Sequence, residues 1–254
     1  GFTQVVTAGT LRPLCEGLKS VREDVAACAR FVAGLEFPQL SRPRDFAALR
    51  ATEGYAVNRG DILSTGGLTT TEDDYLDAIE EPQVPYAMAK RLLLKGDGGP
   101  MTGALARMHV RFEQLKPRVQ ELAREIGFAV PDANPFHNNL AQALEIAQAV
   151  EECIGVLQML EPEDEPPAEP QGFGHGAAMT EAPRGLLYHA YGVDRKGVVE
   201  SARIMTPTVH NFQSMENDLR TLVTNMHDSP ADEIRLQCEM LVRAYDPCFS
   251  CSVH

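Results

Sequence analysis

The chain has 254 residues, 44% hydrophobic and 23% charged, and a formal net charge of −13 from 23 Lys and Arg against 36 Asp and Glu. That surplus of carboxylates argues against a nucleic-acid surface, which needs clustered Lys and Arg, and against a polybasic membrane anchor. The composition is globular rather than disordered, no apolar run approaches the roughly 20 residues that cross a bilayer, and the length suits one or two domains.

The chain begins with Gly1 rather than Met, without the basic-then-apolar layout of a secretory signal, so an upstream piece is expected. Leu14, Leu18, Val21, Val25, Ala26, Cys28 and Val32 recur at spacings of three and four, which predicts a helix over 11–34 with Gly34 as its stop. Over 54–86, short runs such as Tyr55-Ala56-Val57 and Ile62-Leu63-Ser64 alternate with Gly, Asp and Thr and read as short strands and loops. The Gly-Asp-Gly-Gly-Pro run at 96–100 is a turn.

Helical patterns follow over 105–126 and 136–160. The second places Leu140, Leu144, Ala147, Val150, Ile154 and Leu157 on one face, with Asn134 before Pro135 as its cap. The acidic, proline-rich run 161–170 cannot be regular helix, and with the glycine-rich Gly172-Phe-Gly-His-Gly176 it reads as a surface loop over 161–176. Those glycines are not a dinucleotide fingerprint, because no strand pattern leads in and no helix pattern follows. Residues 186–191 and 198–204 flank Asp194-Arg-Lys-Gly197 as a hairpin, and helices over 211–226 and 231–245 follow. No internal repeat is present.

Six cysteines occur: Cys15, Cys28, Cys153, Cys238, Cys248 and Cys251. Without a signal sequence no disulfide framework is expected, and Cys28 and Cys153, in apolar helical text, read as packed thiols. Only Cys248 and Cys251 form a C-x-x-C. Pro247 pushes Asp246 out of the helical region, so both thiols lie just past a helix end and can face one centre. Soft thiolates select nickel, zinc, Cu(I) or iron–sulfur iron. Haem attachment fails, because the His comes three residues after the second Cys rather than next to it. A thioredoxin-like pair opens a helix after a strand, whereas this pair follows a helix. A structural zinc site needs four ligands, and there is no second C-x-x-C. Half of a metal site completed from elsewhere stands beside a plain pair of buried thiols.

The run Arg243-Ala-Tyr-Asp-Pro-Cys-Phe-Ser-Cys-Ser-Val-His254 resembles the C-terminal D-P-C-x-x-C-x-x-H motif of nickel–iron hydrogenase large subunits. Glu181-Ala-Pro-Arg-Gly185, followed by Leu187, His189 and Asp194, resembles a second motif of that family. Thr206-Pro-Thr-Val-His-Asn211 resembles a third, with Val209 where Thr is usual. Weaker similarity runs through Gly103-Ala-Leu-Ala-Arg-Met-His109 and back towards Gly9. The Ala-Tyr before Asp246 is similar to the cytosolic, multi-subunit branch. The family's R-x-C-G-x-C motif has no counterpart, since Arg12-Pro-Leu-Cys15 lacks the Gly and the second Cys. The chain thus resembles the C-terminal portion of a large subunit, or one piece of a split one.

The resemblance implies a predominantly α, α+β fold: an antiparallel long-helix bundle with small β-elements, spanning 1–254. It implies reversible heterolytic oxidation of H2 to protons and electrons at a nickel–iron centre. Cys248 would be a terminal nickel thiolate and Cys251 a bridge to an iron carrying cyanide and carbon monoxide, with the Cys248 sulfur or the Arg184 guanidinium as proton acceptor. Arg suits the open face of such a centre because it donates in a fixed fork and stays charged. Asp246 would hold Arg184, Thr208 would hydrogen-bond a cyanide, and Ala182, Pro183 and Pro207 would form an apolar wall. His254 would ligate a separate Mg or Fe ion; family chains lose an extension after this His, so an end there fits the mature form.

Iron–sulfur clusters would lie only in a partner small subunit, with NAD(P)- or flavin-linked subunits beyond it. The missing N-terminal segment of the large subunit would supply the other nickel thiolates, in a cytoplasmic hetero-oligomer. A non-catalytic hydrogenase-like scaffold subunit of a redox complex and a two-thiol zinc-binding structural module are the alternatives. Read alone, Arg184 is a surface ion-pair residue, Asp246 a helix-ending acid, Asn211 a helix cap and Glu181 a support for its loop.

Overall fold

The computed structural model describes residues 7–55, 57–95, 98–162 and 172–252. The predicted 11–34 helix is two, α1 (Ala8–Ser20) and α2 (Arg22–Ala33), meeting at Val21 with ψ of 0°. Ser20 Oγ donates to the Gly17 carbonyl at 2.8 Å, a local bond that competes with continuing the helix. Gly34 ends α2 as predicted.

Both helices lie on α5 (Asn138–Met159). Only the stripe facing it is covered: Ala29 is buried with Ala26, Val32 and Ala33 around it, while Cys28 is exposed. Cys153 on α5 is exposed as well. The packed-thiol reading fails for both, because apolar neighbours along a helix do not reveal which of its sides is covered.

A three-stranded antiparallel sheet follows: β1 (Ala47–Arg50), β2 (Asp61–Ser64) and β3 (Thr69–Thr70). A small ladder pairs β4 (Ile79–Glu80) with β5 (Leu93–Leu94). Ile62-Leu63-Ser64 is strand, as expected, but Tyr55 and Val57 lie outside any strand. The Tyr55 ring lies 4.0 Å under the Arg111 guanidinium and its hydroxyl donates to Glu145 at 2.5 Å, so side-chain contacts, not a ladder, explain its place.

The 105–126 pattern is α3 (Ala104–Arg111), a 3-10 turn (Phe112–Gln114) and α4 (Pro117–Glu125). Pro117 has no N–H and forces Lys116 into an extended conformation, with ψ of 146°. The apolar spacing survives the break because both pieces rest on one core. Asn134 caps as predicted, accepting from Phe136 N, but what it caps is the short turn Pro135–His137 that leads into α5. Leu140, Leu144 and Ile154 are buried along α5, whereas Ile146, Val156 and Met159 on its other side are exposed.

The last sheet has the order β6 (Gly174–Ala182), β7 (Gly185–Val193), β8 (Val199–Met205), all antiparallel. The β7–β8 hairpin is the predicted one, its turn closed by Asp194 Oδ1 accepting from the N–H groups of Lys196 and Val198. The glycine-rich run is corrected: Gly174, His175 and Gly176 begin β6, paired with Val193, Gly192 and Tyr191. Glycine there hides a strand because it carries no alternating side chains to read. Residues 163–171 of the expected acidic loop lie outside the described residues.

Met179, Leu186, Tyr188 and Met205 from this sheet bury against Leu49, Ile62 and Tyr75, forming a second core beside the helical one. Helices α6 (Pro207–Asn225) and α7 (Ala231–Tyr245) match the predicted pair, with α6 starting earlier at Pro207, a residue well suited to a first helical position. The fold is thus helical with small antiparallel sheets, and no helix among the described residues is long and apolar enough to cross a membrane.

Asp218 fixes α7 to α6. It is fully buried and accepts from Arg44 Nη1 and the Tyr245 hydroxyl at 2.6 Å each, and from Arg42 Nε. Asp218→Ala leaves two guanidinium groups facing a lost anion, so it is expected to destabilise the chain by about 3 kcal/mol or more. The check is the midpoint of denaturant unfolding, followed by circular dichroism; an unchanged midpoint would refute this role.

Candidate metal centre

Three segments meet at the first turn of α6: the turn between β6 and β7, the start of α6 itself, and the tail beyond α7. The tail begins where Asp246 leaves the helix at φ 49° and ψ 54°. The expected exit from the helix at Asp246 is therefore real, and it passes through the left-handed region. Asp is among the few residues that tolerate that region. Its N–H still bonds the carbonyls of Val242 and Arg243.

A 3-10 turn (Phe249–Cys251) then folds Cys251 back, with its N–H on the Cys248 carbonyl at 3.0 Å. The two Cα atoms stand 5.4 Å apart and the two sulfurs meet. The turn thus brings both sulfurs to one point.

Two threonines hold this turn. Cys248 N–H donates to Thr208 Oγ1 at 2.9 Å, and Thr206 Oγ1 donates to the Cys251 carbonyl at 3.3 Å. Thr208 is buried and acts here as acceptor, which leaves its own O–H as a donor. Pro207 lies between them, half-buried.

Arg184 occupies the tip of the β6–β7 turn, whose last pair is Ala182 with Gly185. Its Nε stands 2.7 Å from Asp246 Oδ2 as an ion pair, with the two side chains 46% and 51% exposed. So open a pair contributes about 0–1 kcal/mol to stability; its value lies in orientation. Asn211 is not the helix cap expected of it; Thr206 holds that position. Asn211 instead donates to the Arg184 carbonyl at 3.1 Å and accepts from Thr102 N at 2.7 Å.

Gly185, at φ 134°, presses against Thr102, whose Oγ1 a Cβ would overlap. Glu181 is buried, accepting from Leu49 N at 2.8 Å and Arg107 Nη1 at 2.9 Å. Burial pushes its carboxyl pKa up, against the pull of Arg107 and Arg111. Ala182 is half-buried and Pro183 exposed beside it.

His254 lies outside the described residues. Among the described residues no three His, Cys, Asp or Glu are grouped to share an ion, so the donor set here is two sulfurs. As thiolates they suit one side of a soft-metal centre, with further donors required from elsewhere. The residues missed in the sequence are the supports: Arg107, Thr102, and Asn138, which accepts from Leu105 N at 2.9 Å and donates to the Ala244 carbonyl at 2.7 Å. Arg107 sits inside the weakly similar 103–109 stretch, the one signal that pointed to it.

Residues 97–254 match the profile of the nickel-dependent hydrogenases. The chain belongs to that family. It is 35% identical over 208 residues to sulfhydrogenase 1 subunit alpha of Pyrococcus furiosus, covering 80% of this chain and 47% of the relative. Sulfhydrogenase 2 subunit alpha of the same organism is 33% identical over 258 residues, covering 100% and 60%. NAD-reducing hydrogenase HoxS subunit beta of Cupriavidus necator is 32% identical over 195 residues, covering 71% and 40%. The chain therefore spans about half the length of these hydrogenase subunits. In fold it is similar to an NAD+-reducing [NiFe]-hydrogenase, with a TM-score of 0.76 at 19% identity over 100% of this chain and 62% of that one. A [NiFeSe]-hydrogenase of Dm. baculatum gives 0.73 at 19% identity with the same coverage.

His210 lies one turn into α6, fully buried, with Nδ1 donating to the Thr206 carbonyl at 2.8 Å and Nε2 without a partner among the described residues. Burial pushes its pKa down to about 4. Its folded-state pKa thus lies below the ordinary value near 6.5. The unfolded chain binds the extra proton first, so stability falls as pH drops from about 6.5 to 4, by up to about 3 kcal/mol. Urea unfolding at pH 7 and at pH 4.5 is expected to show this loss, and His210→Gln is expected to lose less between the same two conditions. An equal loss in both proteins would contradict the assignment.

Proposed function

We propose that this chain is part of the catalytic large subunit of a hydrogenase that oxidises H2 reversibly to protons and electrons at a nickel–iron centre. The observation that carries this reading is the meeting of the Cys248 and Cys251 sulfurs beside the Arg184–Asp246 pair, in a chain of the nickel-dependent hydrogenase family. When bound, the centre supplies the Lewis acidity and redox capacity for heterolytic cleavage of H2. The Cys248 and Cys251 sulfurs, as thiolates, would hold this centre from the side of this chain.

Each of this chain's residues then has a task. A thiolate held on a cation keeps a modest basicity, so the Cys248 sulfur would be the atom that accepts and returns the proton. Arg184 keeps a permanent charge over the open face, aimed by Asp246 through its Nε. Thr208 accepts from Cys248 N and turns its own hydroxyl proton towards a cyanide. Ala182, Pro183 and Pro207 keep water from that side. His254 is assigned to a separate Mg or Fe ion.

The remaining nickel thiolates are assigned to an upstream segment of the large subunit, a reading supported by this chain's share of its relatives' length. In the whole subunit α5 is taken as one member of an antiparallel long-helix bundle, which accords with its apolar character on both sides. Electrons are taken to leave through an iron–sulfur small subunit towards NAD(P)- or flavin-linked subunits in a cytoplasmic hetero-oligomer. The NAD-reducing relative supports this acceptor class.

In the assembled enzyme, metal analysis is expected to find nickel, and Cys248→Ala is expected to abolish H2 uptake. Arg184→Lys is expected to keep the nickel but lower kcat by ~100-fold, because a point charge replaces a planar fork. Full activity without nickel would refute the reading; stoichiometric zinc without nickel would favour the two-thiol structural module.

A further inference from the structure

We infer that Arg107 is a positioning residue for Arg184: it clamps the backbone of the β6–β7 turn and so sets where the Arg184 guanidinium stands relative to the two sulfurs. The effect on catalysis rests on the hydrogenase reading, whereas the clamp itself does not.

Arg107 projects from α3 and is 3% exposed. A guanidinium carries five N–H donors in one plane, and Arg107 makes five bonds. Nε and Nη2 donate to Glu145 Oε1 and Oε2, at 2.5 Å each. Nη1 donates to Glu181 Oε2 at 2.9 Å and to the Ala182 carbonyl at 3.1 Å, and Nη2 also donates to the Pro183 carbonyl at 2.9 Å. Those two carbonyls belong to the residues just before Arg184. The next carbonyl, that of Arg184, accepts from Asn211.

Three consecutive carbonyl oxygens of the turn are therefore held from inside, two by α3 and one by α6, while the Arg184 side chain pairs with Asp246 in the tail. Pro183 has no N–H, so its carbonyl is the one polar backbone group by which this residue can be gripped. The clamp is itself fixed. Glu145 also accepts from the Tyr55 hydroxyl and Glu181 from Leu49 N, which orients both carboxylates that hold Arg107. A Lys at this position would bring three donors on one point and could not span two carboxylates and two carbonyls.

Arg111 provides the control. It is on the same helix and as deeply buried, but it donates to the Leu49 carbonyl and stacks on Tyr55, without a bond to the turn among those observed. Arg111→Lys therefore disturbs the same core without releasing the same carbonyls.

The test is limited trypsin digestion of the native full chain with its co-purifying partners, comparing cleavage after Arg184 with cleavage after Arg195 in the other turn of the same sheet. Arg107→Lys is expected to speed cleavage after Arg184 about tenfold or more relative to cleavage after Arg195, because two charge-assisted bonds to the turn are lost. Arg111→Lys is expected to leave that ratio unchanged. In the nickel-loaded enzyme, Arg107→Lys is expected to lower kcat about tenfold at unchanged nickel content. Should Arg107→Lys fail to fold, Glu145→Gln, which loosens Arg107 without removing it, is expected to raise the same ratio about threefold.

An unchanged ratio in the folded variant, or an equal rise in Arg111→Lys, overturns the clamp. A raised ratio with full kcat overturns its link to catalysis. A raised ratio in a wild-type background that neither binds nickel nor oxidises H2 supports the clamp and refutes the hydrogenase reading alone.

Discussion

Everything at this site hangs on the first turn of α6. Thr206 and Thr208 hold the backbone of the two cysteines, and Asn211 holds the carbonyl of Arg184 and the N–H of Thr102. Three parts of the chain that are remote in sequence thus share one rigid origin. Asn211 can serve two of them because its amide is donor and acceptor at once; Asp would lack the donor, and a smaller side chain would lack the reach. Gly185 lets the hairpin come close enough for this, since any Cβ there would meet Thr102.

The frame and the chemistry carry different stabilities. On one flank, Asp218 locks Tyr245, the residue from which the tail departs, to α6 and to two arginines. On the other, Arg107 and Glu181 lie buried behind the β6–β7 turn. Such groups are costly to disturb, because a buried charge left without its partner has no water to turn to. Between the two flanks the Arg184–Asp246 pair is half in solvent and contributes little to folding. The exposed pair can therefore change partners while the backbone that carries it stays fixed.

Legibility in the sequence followed the range of the interactions. Each of the three motifs at 181–185, 206–211 and 246–251 is a contiguous turn, whose Pro, Gly and Cys act locally, and each could be read directly. Their supports could not. Arg107 meets carboxylates 38 and 74 residues away, and Arg44 meets Asp218 174 residues away; single residues at such distances leave no pattern in one sequence. Helix identity survived where the apolar period was long, as in α5, α6 and α7. Helix continuity did not, because the period runs on across Val21 and across the Pro117 break. Strand β6 was missed for the opposite reason, its first residues having almost no side chains to alternate. The exposure of Cys28 and Cys153 depends on which neighbouring element lies where, information that periodicity does not hold.

The placement of the two cysteines in the tail also orders events in time. During synthesis, α3, the β6–β7 turn and α6 all leave the ribosome before Cys248 and Cys251 do, and chains fold from the N-terminal side as they emerge. The threonines that will grip the tail are thus in place before it arrives. Between the setting of that frame and the seating of the tail there is an interval in which the two sulfurs lie open to solvent.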